Sequence, residues 1–139
     1  MGVSADPECE VLQKYVVIEP LLKGEFRKIS HNSGQILLAD GKDVCLRSEA
    51  YMHFTWEKSD HNLIITDIQG VGYALTDPEV ASVKNVIQVV EKEFKVNYCR
   101  GNCGKDAIAQ FAKEHTCNLY CTALDLPKMG FAGDTDESS

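Results

Sequence analysis

The segment HTCNLYC, His115 to Cys121, places one imidazole and two thiols within seven residues. Donors this dense suit Zn²⁺, which takes nitrogen and sulfur ligands and closes a structural site with a fourth. A chain that must deliver that fourth ligand from a distant element has few ways to fold. Two sources stand in the sequence. One is His53, in the stretch AYMHFTW; the other is the pair Cys99 and Cys103, which with Cys117 and Cys121 would make a four-cysteine site. Spacing leaves both open. A reduced pair of core cysteines beside an incidental histidine is the blander alternative, and the density of donors favours metal over it.

Six cysteines (Cys9, Cys45, Cys99, Cys103, Cys117 and Cys121) would permit three disulfides. The opening residues MGVSADPECE carry neither the basic region nor the apolar core of a secretory signal, and four of the six fall in two CxxxC pairs. That pattern points to metal in a reduced, cytoplasmic setting rather than to disulfides. The opening Met-Gly is followed by Asp6 where a myristoylation signal wants Ser or Thr. A length of 139 residues suits one domain with a real core. The net charge of −7 argues against a general binder of nucleic acid or anionic membrane, since no basic stripe is present to neutralise phosphates. No apolar run is long enough for a transmembrane helix.

Along the chain, Tyr15–Leu22 (YVVIEPLL) is β-branched and apolar, and Lys23-Gly24 turns it toward EFRKI, so a hairpin is expected. His31-Asn32-Ser33-Gly34 reads as a second turn, and residues 44–58 as a helix with Cys45, Met52 and Trp56 on one side. Residues 62–66 read as a short buried strand. After Asp77-Pro78, the steps Val80, Val83, Ile87, Val90 and Phe94 predict an amphipathic helix. A last helix is expected over residues 105–123. Residues 1–10 and the acidic segment from about residue 129 read as tails around a domain spanning 11–128. Sheet elements first and helices later make the class α+β.

The stretch LIITDIQGVGYALTDPEV, residues 63–80, ends an apolar run at Asp67, loosens the backbone at Gly70 and Gly72, and supplies a second acid at Asp77. Thr76-Asp77-Pro78-Glu79 is what a helix start looks like, with a cap, a proline and a capping-box acid. Asp67 is harder to explain structurally, because a carboxylate closing an apolar strand costs desolvation unless paired. Carboxylate and amide oxygens from Asp67, Gln69 and Asp77, completed by phosphates and water, are the ligands Mg²⁺ prefers. His31 and His61 read as turn residues in solvent, and no Walker-type glycine loop is present.

Four ordered stretches, VIEPLLKGEFRKISHNSG, AYMHFTW, DIQGVGYALTDP and GNCGKDAIAQFAKEHTCNLYCTALDL, together resemble the alpha-kinase family of atypical protein serine/threonine kinases, over most of the chain. The resemblance implies the C-terminal lobe of such a catalytic domain, a small sheet with helices stabilised by structural zinc. The implied ligands are His53, His115, Cys117 and Cys121, which leaves Cys99 and Cys103 as free thiols. It implies Asp67 as the catalytic aspartate, Gln69 and Asp77 as Mg²⁺ ligands beneath the phosphates of ATP, and Glu19 as the hinge acid near adenine. Lys28 and Asn32 would lie near the nucleotide, and Gly101–Gly104 would form a loop near a protein substrate. Ser30 stands where the family has an asparagine. The family's upstream β-rich lobe, with its ATP-binding lysine, has no counterpart in this sequence, so a longer chain or a partner would supply it. The competing expectation is a non-catalytic, zinc-stabilised interaction module.

Overall fold

A computed structural model of the chain describes residues 16–130. The two expected tails, together with Cys9 and Tyr15, lie largely outside the described residues. In chain order the elements are β1 (Phe26–Lys28), α1 (Asp43–Lys58), β2 (Leu63–Thr66), β3 (Gln69–Val71), β4 (Ala74–Leu75), β5 (Glu79–Ser82), β6 (Val86–Val89), β7 (Lys92–Lys95), α2 (Gly104–Glu114) and α3 (Leu119–Ala123). The class is α+β. None of the described helices is long and apolar enough to cross a membrane.

Among the described residues, three small antiparallel sheets share the work: β1-β3-β4, β2-β5 and β6-β7. The middle one carries the core. Its register sets Ile64 opposite Ala81, both fully buried, and α1 packs on β2 while α2 packs on β5. Met52 and Trp56 from α1, Ile108 and Phe111 from α2, and Ile68 from the loop after β2 fill the space between. The helical spacing of Cys45, Ser48, Met52 and Trp56 buries one face of α1, and residues 43–58 match the expected helix closely. Met129, assigned by the sequence to the tail, is 8% exposed and packs into this core.

Four local expectations are corrected. Residues 16–25 form no strand, and β1 pairs instead with β3, Phe26 opposite Val71 and Lys28 opposite Gln69. A β-branched run becomes a strand only where a ladder partner exists, and the partner was 43 residues downstream of Phe26 or further. Residues 80–94 are not a helix: β5 pairs with β2, and β6 with β7 in a hairpin setting Ile87 opposite Phe94. Val80, Val83, Val86, Ile87, Val89 and Val90 prefer the pleated surface, and strand pairing overrides the three-four step of their spacing. Asp77 therefore caps no helix; it adopts φ 49° just before β5. Finally, the last helix breaks in two. His115 is extended (ψ 129°), and Asn118 caps α3 by accepting the Tyr120 N–H at 2.9 Å while its amide donates to the Leu46 carbonyl on α1.

The turn His31–Gly34 forms as expected, with the Gly34 N–H donating to the His31 carbonyl at 3.0 Å. Gly34 has φ +84°, and a Cβ there would stand 1.9 Å from the Ala107 carbonyl oxygen of α2. Gly34→Ala must therefore push the turn off α2. The left-handed backbone costs about 1–2 kcal/mol and overpacking about 1–3 kcal/mol. Denaturant unfolding is expected to show a lower midpoint; an unchanged midpoint would refute the close approach.

Candidate functional site

The β3-β4 hairpin and the loop before it gather the acids singled out in the sequence. Asp67 leaves β2 with φ 58°, a conformation aspartate tolerates better than most residues, and this turns its side chain toward β1. There its Oδ1 lies 2.8 Å from Lys28 Nζ, the two side chains being 13% and 38% exposed. The Gln69 amide N–H group donates to Asp67 Oδ2 at 3.0 Å, to the Asp67 carbonyl at 3.2 Å and to the Asp77 carbonyl at 3.3 Å. One amide thus fixes both aspartates relative to each other, and its own oxygen is the atom left over. Gly70 makes this possible: at φ 155°, a Cβ would sit 2.0 Å from the Ala74 carbonyl oxygen across the hairpin.

Glu19 reaches the same place from the other side, accepting from the Thr76 hydroxyl next to Asp77. Asn32 donates from its amide to the Gly101 carbonyl at 3.1 Å, so the turn after β1 holds the glycine-containing loop before α2. Asn102 pins the same loop to β5, accepting the Ser82 N–H at 3.1 Å and the Gly104 N–H at 2.9 Å. Of the six residues named from sequence, Lys28, Asp67, Gln69 and Asp77 are thus joined to one another, while Glu19 meets Thr76 and Asn32 meets the Gly101 loop. Glu79 was missed. Its carboxylate packs against Gly101, where a Cβ would lie 2.9 Å from Glu79 Cδ, and its Oε2 is buried without a hydrogen-bond partner.

The second centre lies between α1, the extended residues after α2, and α3. Ligand atoms of His53, His115, Cys117 and Cys121 all lie within 4.8 Å of one another. The measured separations are 3.3 Å from His115 Nε2 to His53 Nδ1, 3.6 Å from Cys121 Sγ to His115 Nε2, and 3.7 Å from Cys117 Sγ to His53 Nδ1. A tetrahedral zinc with Zn–N of about 2.0–2.1 Å and Zn–S of about 2.3 Å has N···N edges of about 3.3 Å and N···S edges of about 3.6 Å. The three separations thus match the edges of a tetrahedral zinc site, and all four donor atoms lie within 4.8 Å of one another.

The break between α2 and α3 is what permits this. Residues 115 and 117 on one continuous helix would point to nearly opposite sides. Cys99 and Cys103 stand elsewhere: the Cys99 thiol exchanges bonds of 3.3 Å with the Val80 N–H and carbonyl, and Cys103 donates to the Gly101 carbonyl. Burial holds the His53 imidazole below its usual range, with the His115 charge adding to the effect, and burial pushes the Cys121 thiol up. Burial thus keeps the imidazole neutral, the form that ligates a metal, whereas the thiol ionises there only where a cation meets it.

The chain belongs to the alpha-kinase family, whose model matches residues 5–121. It is 38% identical over 109 residues to myosin heavy chain kinase A of Dictyostelium discoideum, covering 78% of this chain and 8% of that protein. It is 31% identical over 123 residues to human transient receptor potential cation channel subfamily M member 7, covering 87% of this chain and 6% of that one. Among solved structures, the apoenzyme alpha-kinase domain of myosin-II heavy chain kinase A superposes with a TM-score of 0.63 at 35% identity, covering 79% of this chain and 38% of that one. The same domain complexed with ADP gives 0.62 at 36% identity, covering 78% and 39%. The chain therefore spans well under half of these kinase domains, and a much smaller share of the full-length relatives.

Proposed function

We propose that the hairpin carrying Asp67, Gln69 and Asp77 is the phosphoryl-transfer centre of an alpha-type protein serine/threonine kinase, in the C-terminal lobe of that domain. The observation that carries this reading is the Gln69 amide, which holds the Asp67 carboxylate and the Asp77 backbone in one fixed arrangement beside Lys28. Asp67 orients the acceptor hydroxyl of a protein substrate and takes its proton as the oxygen bonds to the γ-phosphorus of ATP. The bond from that phosphorus to the bridging oxygen breaks, and ADP leaves. Lys28 holds the Asp67 carboxylate in place for this step. Gln69, through its remaining amide oxygen, and Asp77 are the residues that would hold Mg²⁺, whose charge offsets that of the transferring phosphate. Glu19 and Asn32 line the nucleotide side. His53, His115, Cys117 and Cys121 would hold a structural zinc, in keeping with a reduced, cytoplasmic setting.

Val16, Val17, Ile18 and Leu21 are 73–92% exposed, an apolar strip beside Glu19. Such a strip suits the docking of the family's β-rich lobe, from a longer chain or a partner. The same strip favours the second reading, an interaction module that binds no nucleotide by itself. Calorimetric titration of the zinc-loaded chain with Mg-ATP separates them. Saturable binding is expected, weakened at least about tenfold in Asp77→Ala, the loss of one charged metal contact. No saturable heat at millimolar nucleotide would leave the interaction module standing.

A further inference from the structure

Both histidines of the soft-donor tetrad have a carboxylate behind them, and the two are not equivalent. Glu49 and Glu57 lie four residues before and four after His53, on the same face of α1. Glu49 reaches across to α2's end: its Oε2 lies 3.0 Å from His115 Nδ1, with side chains 12% and 1% exposed. Glu57 Oε1 stands 3.7 Å from His53 Nε2, too long for a direct hydrogen bond, and its Oε2 is engaged at 3.1 Å by His61. His61, whose ring stacks on Trp56 at 4.9 Å, thus draws Glu57 toward solvent rather than toward the metal centre.

We propose that Glu49 is the positioning residue of the metal centre: it holds the His115 ring with Nδ1 protonated, so that Nε2 faces the metal, and so sets the zinc affinity. The inference rests on the zinc reading above. It follows from the ring's own geometry. Nε2 is the His115 atom that meets His53 Nδ1 and Cys121 Sγ, so Nδ1 must carry the proton, and its acceptor is Glu49. The consequence is an asymmetric pair of ligands. His115 binds through Nε2 and His53 through Nδ1, and only the first has a carboxylate within direct hydrogen-bonding distance. Removing such a partner costs about 10–100-fold in metal affinity in comparable sites. Ring position matters more here than usual, because the Phe111 ring stacks on one side of His115 and leaves Glu49 to fix rotation in the ring plane.

Competition with a chromophoric chelator measures zinc affinity for the 139-residue chain and for Glu49→Gln, with Co²⁺ absorbance reporting geometry. Glu49→Gln is expected to bind zinc about 10–100-fold more weakly while keeping a tetrahedral Co²⁺ spectrum. An affinity within twofold of the parent overturns the proposal while leaving the zinc centre intact. Should Glu49→Gln fail to fold, ¹⁵N-histidine NMR of the zinc-loaded parent decides. Coordination of His115 through Nε2, with a proton on Nδ1, supports the proposal, and coordination through Nδ1 overturns it. A parent chain that binds neither metal removes the zinc reading itself, a result distinct from both.

Discussion

Stripping zinc from the loaded chain with a chelator is expected to abolish its cooperative thermal transition, and His53→Ala to do nearly the same. The four candidate ligands come from α1, from the extended residues 115–117 and from α3, so one ion would tie three segments together. The helix α3 has only five residues, too few to be stable alone, and beyond its packing on α1 it depends on Asn118 at its start and Cys121 within it. Structural zinc supplies about 10–16 kcal/mol, as large as the whole stability of an ordinary domain, about 5–15 kcal/mol. Without the ion, the buried His53 imidazole and Cys121 thiol would face His115 and the exposed Cys117 thiol with no cation between them. Differential scanning calorimetry of chelated and zinc-loaded samples is the measurement; a chelated sample with an unchanged transition sinks the structural role.

Phe111→Ala should be the most damaging single substitution in the apolar core. Phe111 is fully buried on α2, among the largest of the buried side chains, where it closes the core against β5. Its ring also stacks on His115, centroids 4.9 Å apart and planes 16° from parallel. Truncation leaves a cavity and frees the His115 ring together, at a cost of about 3–5 kcal/mol. That is a large part of the stability available to a domain of this size. Urea unfolding at saturating zinc should show the loss in the midpoint, and the same variant should release zinc to a chelator faster than the parent. A variant losing under about 1 kcal/mol would show that the core repacks around the gap.

The candidate site was more legible than the fold around it. Asp67, Gln69 and Asp77 stand within eleven residues, and a short hairpin brings near neighbours together whatever the rest does. Residues 44–58 and 62–66 were legible for a similar reason, since their hydrophobic patterns agree with the elements they form. Glu49 and Glu57 escaped notice, although their four-residue spacing from His53 was a usable signal. Residues 80–94 misled because two patterns coexist there, a three-four apolar step and a wealth of β-branched side chains. Nothing within the segment ranks them. The strand partner for β5 is β2, whose Leu63 to Thr66 pair with Ser82 to Glu79.

What the sequence determined by itself was the local chemistry: which donors exist, which acids lie close, and where one helix must bury a face. Only the tertiary structure decided which donors meet. His53 and His115 are 62 residues apart, and no spacing rule could prefer them to Cys99 and Cys103. Packing of α1 across β2, and the break that Asn118 makes before α3, turned that separation into 3.3 Å. Periodicity is a property of neighbours in the chain, whereas coordination and strand pairing depend on neighbours in space, and those exist only once the core has closed.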